Sequence, residues 1–297
     1  MKHPWRAAVL GAALCSGLAL ASPSAQDLEQ RRQLLASLQY QAGDIALPDA
    51  HATLHVQPGF KYLGHDDTRK VLEQYWGNPE DDDVLGLLVP DNAPLASDHS
   101  WAVVVTYSDE GYVSDADANA IDAGKLLAEM QQSIRDQAEE RKSAGYGTIE
   151  LVDWALPPHY DAAGKRLQWA KELEFDGDPA HTVNYDIRVL GRGGFLSLNA
   201  VAAHSDLAMV RDGMTRVFPM AEFEAGHRYA DYQPGSDKLA AYGLATLVGG
   251  GLAAKAGLFA KLGVFLLAAK KFIVLLVLGA AAMLRKLFGG TKDDSAR

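Results

Sequence analysis

The chain of 297 residues has a single cysteine, Cys15. It lies in an N-terminal stretch that reads as a removable leader, so disulfide staples and thiol chemistry are excluded from the rest. Nucleophile and phosphate motifs are missing as well. There is no GxSxG, no HExxH and no Walker loop, which removes the commonest single-sequence signatures of hydrolases, zinc peptidases and NTPases. Basic residues are scarce in the main body: residues 22–238 hold 18 Lys+Arg against 36 Asp+Glu. Such a surface repels phosphate backbones, and nucleic-acid binding is not expected. Acid is absent from another region, since no Asp or Glu occurs between Leu239 and Leu284.

The two ends carry targeting signals. Lys2 and Arg6 precede an apolar run over residues 7–21, closed by Ala19-Leu20-Ala21. A basic start, a short apolar core and a small-x-small site read as a secretory signal peptide over 1–21. At the far end, residues 239–288 read as a membrane anchor region and 289–297 as a polar tail. Two stretches compete for the crossing. Residues 239–260 are mostly Ala and Gly with little to drive insertion. Residues 262–284 hold about a dozen strong apolar residues at about 0.3–0.6 kcal/mol each, offset by Lys270 and Lys271 at about 2.5–3.5 each. A single crossing places Arg285 and Lys286 on the cytoplasmic side, so the expected location is the bacterial inner membrane with the main domain outside. Ala241, Ala245, Gly249, Ala253 and Gly257 recur every four residues. On one helix they form a stripe of small side chains suited to close helix packing and to a homo-oligomer.

Between the ends, residues 22–238 read as an α+β domain with a mainly antiparallel sheet. DLEQRRQLLASLQ (27–39) and DDTRKVLEQYWGN (66–78) read as helices. HATLHVQPGFKYL (51–63) reads as two strands broken at Pro58-Gly59, and VLGLLVP and WAVVVTY as buried strands. IELVDWALPP, KRLQWAKELEF, TVNYDIRVLG and GFLSLNAVAA form four further strands joined by turns at YDAAG, DGDPAH and GRGG. HSDLAMVRDGMTRVF (204–218) is the closing helix, and GHRYADYQPGSDK (226–238) reads as a polar linker to the membrane.

YVSDADANAID (112–122) opens like a calcium loop, with Asp115, Asp117 and Asn119 alternating. The sixth position from Asp115 is Ala120 and the twelfth Leu126, so the required Gly and bidentate Glu are missing. The better reading is a start for a helix over 117–142, with Ser114 as cap and acid favoured at the positive helix end. Ile121, Leu126, Met130 and Ile134 are its core-facing candidates. Asp115, Asp117 and Asp122 exceed what a cap needs and are candidate partner contacts, as are Trp154 and Trp169. The histidines are scattered, with no metal-ligand spacing, and no cofactor fingerprint occurs.

The motifs PGFKYLGHDDTRKVLEQYWGNP, SWAVVVTYSDEGYVSDADANAID, IELVDWALPPHYDAAGKRLQWAKELEF, TVNYDIRVLGRGG and AGHRYADYQPGSDKLAAYGLATLVGG stand in this order. In them the chain resembles a bacterial family of uncharacterised membrane-anchored proteins, defined as a domain of unknown function. The resemblance implies an exported, anchored domain and no reaction. The closing strand and helix, GFLSLNAVAAHSDLAMVRDGMTRVF, are similar to those of Mog1/PsbP-like domains. Two functions follow as expectations: a non-enzymatic interaction or scaffold domain of the cell envelope, with a protein partner or a second copy, or an envelope hydrolase with a metal or His/carboxylate site assembled from distant residues.

Overall fold

The computed structural model describes residues 25–78, 80–143 and 147–249. The expected leader at 1–21 and all of the expected anchor beyond Gly249 lie outside these residues. Helix α1 (Ala25–Ala36) is followed by strands β1 (Tyr40–Gln41), β2 (Gly43–Leu47), β3 (Ala52–Val56) and β4 (Phe60–Gly64). Between β3 and β4 the chain turns at Gly59, with φ 90°. The short helix α2 (His65–Arg69) continues into a π-helical turn, Lys70–Tyr75. Next come β5 (Val84–Pro90), β6 (Ala102–Ser108), β7 (Tyr112–Ser114), α3 (Ala123–Asp136) and α4 (Ala138–Ser143). The four expected strands follow as β8 (Ile149–Asp161), β9 (Arg166–Phe175), β10 (Thr182–Leu190) and β11 (Phe195–Ala203). The chain closes with α5 (Leu207–Val217), β12 (Ala221–Phe223), β13 (Leu239–Gly243) and α6 (Leu244–Gly249).

An eight-stranded sheet in the order β1-β4-β5-β6-β11-β10-β9-β8 forms the centre, and every neighbouring pair in it is antiparallel. Side chains alternate across a strand, so each strand feeds two layers. From β10, Val183, Tyr185, Ile187 and Val189 enter one large core with Leu196 and Leu198 of β11. That face is covered by Val210, Met214 and Val217 of α5 and by Leu54 and Phe223 from a small sheet ordered β12-β3-β2. The reverse face is covered in patches. Val71 and Leu72 of the π-turn pack on Leu63, Leu87 and Val104. Leu244 and Val248 of α6 pack with Trp169, Leu190 and Phe195. Leu127, Met130 and Ile134 of α3 lie over Leu151, Leu173 and Phe175.

The GRGG turn joins β10 to β11. A Cβ on Gly194 would stand 1.8 Å from the Ser108 carbonyl oxygen, so only glycine lets the hairpin lie against the end of β6.

Five expectations are corrected. The long helix over 117–142 is a short 3-10 turn, Ala118–Ala120, then α3 and α4. Its cap is Asp122, whose carboxylate accepts the Lys125 N–H at 2.9 Å. Ser114 belongs to β7 and accepts only the Ala116 N–H, at 3.3 Å. Residues 226–238 are no free linker: Tyr229 is buried, and Arg192 grips Asp237 with two hydrogen bonds of 2.7 and 2.9 Å. Residues 239–249 belong to the folded unit, because β13 pairs in parallel with β7 and buries Ala240, and α6 buries Leu244 and Val248. The small-residue stripe breaks there as well. Ala241 sits on a strand, Ala245 and Gly249 on α6, and Ala253 and Gly257 lie outside the described residues. Among the described residues no helix is long and apolar enough to cross a membrane.

Gly213 sits inside α5, where glycine costs a helix about 1 kcal/mol relative to alanine. The Trp101 ring explains it, since a Cβ here would lie 2.4 Å from the indole. Overpacking costs about 1–3 kcal/mol, so the clash outweighs the helix gain. Gly213→Ala is expected to lower the thermal midpoint, measured by circular dichroism; an unchanged or raised midpoint would show that Trp101 is free to yield.

Candidate functional site

Apolar cover on the reverse face is interrupted at its middle. The even-numbered side chains of β10 include Asn184, Asp186 and Arg188, and their neighbours across the sheet are Lys171 of β9 and Ser197 and Asn199 of β11. Asp186 is 2% exposed. Its carboxylate lies 3.0 Å from Arg188 Nη1 and 3.6 Å from Lys171 Nζ, and it accepts the Asn199 amide at 2.8 Å. Asn184 donates to Asn199 Oδ1 at 3.3 Å and extends the network. The Arg188 guanidinium lies over the Trp169 ring, 5.2 Å from its centroid. Burial pushes the Lys171 amine below its ordinary pKa, and Asp186 acts against that push. Charges here are thus held out of water by one another and by amide donors, which is the condition for tolerating them.

Beside this network a cavity of about 360 Å³ opens to the surface. Its floor is Thr106, Asp186, Arg188, Ser197 and Asn199, and Val104, Tyr107 and Phe195 form apolar walls. Acid lines its mouth: Asp81 and Asp83 precede β5, and Asp109 and Glu110 lie in the turn from β6 to β7. The chain's C-terminal segment holds that turn. Lys238 Nζ donates to the Asp109 carbonyl at 3.2 Å, and the Tyr242 hydroxyl donates to Glu110. Burial, then the bond to Glu110, raises the Tyr242 phenol well above its ordinary pKa.

The aspartates of residues 112–122 are spent inside the fold. Asp115 accepts from Lys165 Nζ at 2.8 Å and from the Tyr160 hydroxyl at 2.7 Å. Burial works to raise its pKa, but Lys165, Tyr160 and Tyr229 overcome it and hold the carboxyl low. Asp117 accepts the N–H groups of Leu244 and Ala245 at 3.0 and 3.2 Å, and so caps α6. Asp122 caps α3. The acid that looked excessive for one helix end serves two helices and one ion pair. Trp154 is partly buried and donates its indole N–H to the Ala123 carbonyl at 2.9 Å. Trp169 is 2% exposed and forms a wall under Arg188, so it offers no surface to a partner.

Histidines meet carboxylates in pairs. His55 bonds Asp44 at 2.7 Å and His99 bonds Asp206 at 2.8 Å, while the His51 ring stacks on His227 at 3.8 Å. The densest meeting joins β9, β10 and the end of β11. There His181 lies 2.6 Å from Glu172 and 3.4 Å from Glu174, and His204 lies 3.7 Å from Glu172. Both ring nitrogens of His181 face carboxylates, which suits an ion pair. Among the described residues no group of three or more His, Cys, Asp or Glu is arranged to hold a metal.

Sequence reasoning missed Lys171, Asp186, Arg188 and Asn199. A signal was present: NYDIRVL alternates polar and apolar residues inside a run whose neighbours are strands on both sides, so its Asp and Arg had to meet partners in the sheet.

The chain belongs to the family described as "Protein of unknown function (DUF2167)", whose model matches residues 39–281. No curated protein matches it. Among solved structures it is similar to cyanobacterial PsbP (CyanoP) from Synechocystis sp. PCC 6803, at 12% identity over 64% of this chain and 94% of that one, with a TM-score of 0.34. It is also similar to the Saccharomyces cerevisiae Ran-binding protein Mog1p, at 11% identity over 63% of this chain and 96% of that one, with a TM-score of 0.33. At this identity the likeness concerns fold alone.

The bond to Glu172 raises the His181 pKa above its ordinary value, against the effect of burial and with help from Glu174. A raised folded pKa gives stability that is complete below about 6.5, the unfolded value, and is lost as pH rises through the folded value. Thermal midpoints of the wild type should therefore exceed those of His181→Gln at about pH 6 and converge on them by about pH 9. Parallel curves over that window would remove the ion pair from the account.

Proposed function

We propose that the protein is a non-enzymatic, membrane-tethered interaction module of the bacterial cell envelope, exported by its N-terminal leader and held by its apolar, lysine-bearing tail. The observation that carries this reading is how the chain leaves its fold. β13 is paired to β7, α6 is capped by Asp117, and Leu244 and Val248 are buried in the core. In the sequence the apolar run thus follows directly on residues that are packed into the fold. A tether of that kind keeps the domain close to the bilayer surface. The charge division suits the arrangement: the acidic body is repelled by anionic headgroups, and the basic tail is drawn to them. In this reading the cavity beside Asp186, an open trough on the sheet, is the face offered to a partner, since the aspartates of 115–122 and the indole of Trp169 are used internally.

Expression of the full chain in a bacterium, followed by fractionation and protease treatment of spheroplasts, tests the reading. The full chain should stay with the membranes and be digested from outside. A chain ending at Gly249 should appear in the soluble periplasmic fraction. Retention of the short form on membranes, or protection of the full chain from external protease, would contradict the proposal.

A further inference from the structure

We propose that the trough is a recognition site for a basic peptide segment, with carbonyl oxygens bound at the floor and a lysine or arginine side chain held at the acidic mouth. The inference deepens the reading of the protein as an interaction module by naming the chemistry of its partner.

The floor carries the first half of the argument. Ser197 lines the cavity and is 9% exposed. Its hydroxyl has no hydrogen-bond partner among the described residues. Thr106 stands opposite it in the sheet register, also on the cavity floor and also without a partner there. Two adjacent hydroxyls, each able to donate and accept, sit at the bottom of an open cavity. Ser197 is nine-tenths buried and Thr106 half-buried, and Arg188 on the same floor keeps its Nε buried without a hydrogen-bond partner among the described residues. Buried polar groups normally have a partner, so the floor suits a ligand that brings acceptors, as a peptide backbone does.

The mouth carries the second half. Asp81, Asp83, Asp109 and Glu110 converge on an opening whose walls are Val104, Tyr107 and Phe195. Carboxylates around a low-dielectric cleft focus a negative potential and draw cations. The aromatic walls add a place for the stem of a long basic side chain and for its charge. The floor has the opposite bias, because Arg188 and Lys171 face the single carboxylate of Asp186. A ligand therefore enters with its acceptors inward and its cation outward. The cavity, at about 360 Å³, lies within the range of about 300–1,000 Å³ usual for ligand sites.

The test is a titration of the detergent-solubilised full chain at about 0.1 M salt, where exposed charges farther than about 10 Å apart are largely screened. Three probes are used: acetyl-(Lys)3-amide, acetyl-(Gln)3-amide and 1,5-diaminopentane. The lysine peptide should bind saturably, with the glutamine peptide weaker by at least about tenfold. Asp81→Asn with Asp109→Asn should weaken the lysine peptide by about tenfold or more. Asp49→Asn with Asp212→Asn removes the same charge from the opposite layer and should leave it within about twofold. Ser197→Ala should weaken the peptide and leave the diamine unchanged, and thermal melts of each variant check folding. The proposal is overturned by equal losses in the two double variants, by equal binding of the lysine and glutamine peptides, or by no saturable binding at all. Membrane fractionation of the same chain is read separately, so a failed ligand and a failed tether are distinguishable.

Discussion

Asp186 is the point on which the reverse face of the sheet depends. It lies in the middle of a central strand with two cations and one amide turned toward it. An ion cluster in that position cannot be roofed by leucine and valine without stranding the charges, because desolvation of an unpaired ion costs several kcal/mol. The apolar cover therefore divides around it. The π-turn takes one side, α6 and α3 the other, and a polar trough remains between them. On the opposite face, where β10 presents Val183, Tyr185 and Ile187, one continuous core forms.

The same logic of pairing ties the C-terminal segment to the domain. Asp117 caps α6, Tyr229 reaches the Val113 carbonyl at 3.1 Å, and Arg192 holds Asp237. Asp237 is pushed down to about 2 by Arg192 above all, with the Gln233 N–H assisting. Tyr112 stacks between Tyr229 and Tyr232, at 4.4 and 3.8 Å. The contacts of Asp117, Val113 and Tyr112 join residues more than a hundred positions apart. They bring residues 229–249 to the turn bearing Asp109 and Glu110, so the mouth of the trough and the last described residues share one small structure.

Much of this architecture is legible in the sequence where the signal is local. The run from Ile149 to Ala203 shows period-two alternation broken by turn residues, and it folds as four antiparallel strands. Pro58-Gly59 marks the break between β3 and β4. The closing helix follows from its apolar spacing. Elements that depend on distant partners are harder to read. β13 is a strand because β7 is beside it, and its five residues, LAAYG, suit a membrane helix equally well. Ser114 and Asp122 both have the chemistry of a cap, and only the place of Ser114 in β7 decides between them. Asp115, Asp117 and Asp122 stand together in sequence, yet their partners are Lys165, Leu244 and Lys125. The trough left only an alternation of charges inside a strand, with nothing local to show that the sheet would cover both faces unevenly.

Asp186 holds two cations inside the sheet and thereby shapes the trough. Denaturant unfolding of Asp186→Asn, which keeps the size of the side chain and removes its charge, tests it most directly. With Lys171 and Arg188 left without their counter-ion, the variant should lose about 3–5 kcal/mol of stability, or fail to fold. A change within about 0.5 kcal/mol, the range of an ordinary surface substitution, would contradict it.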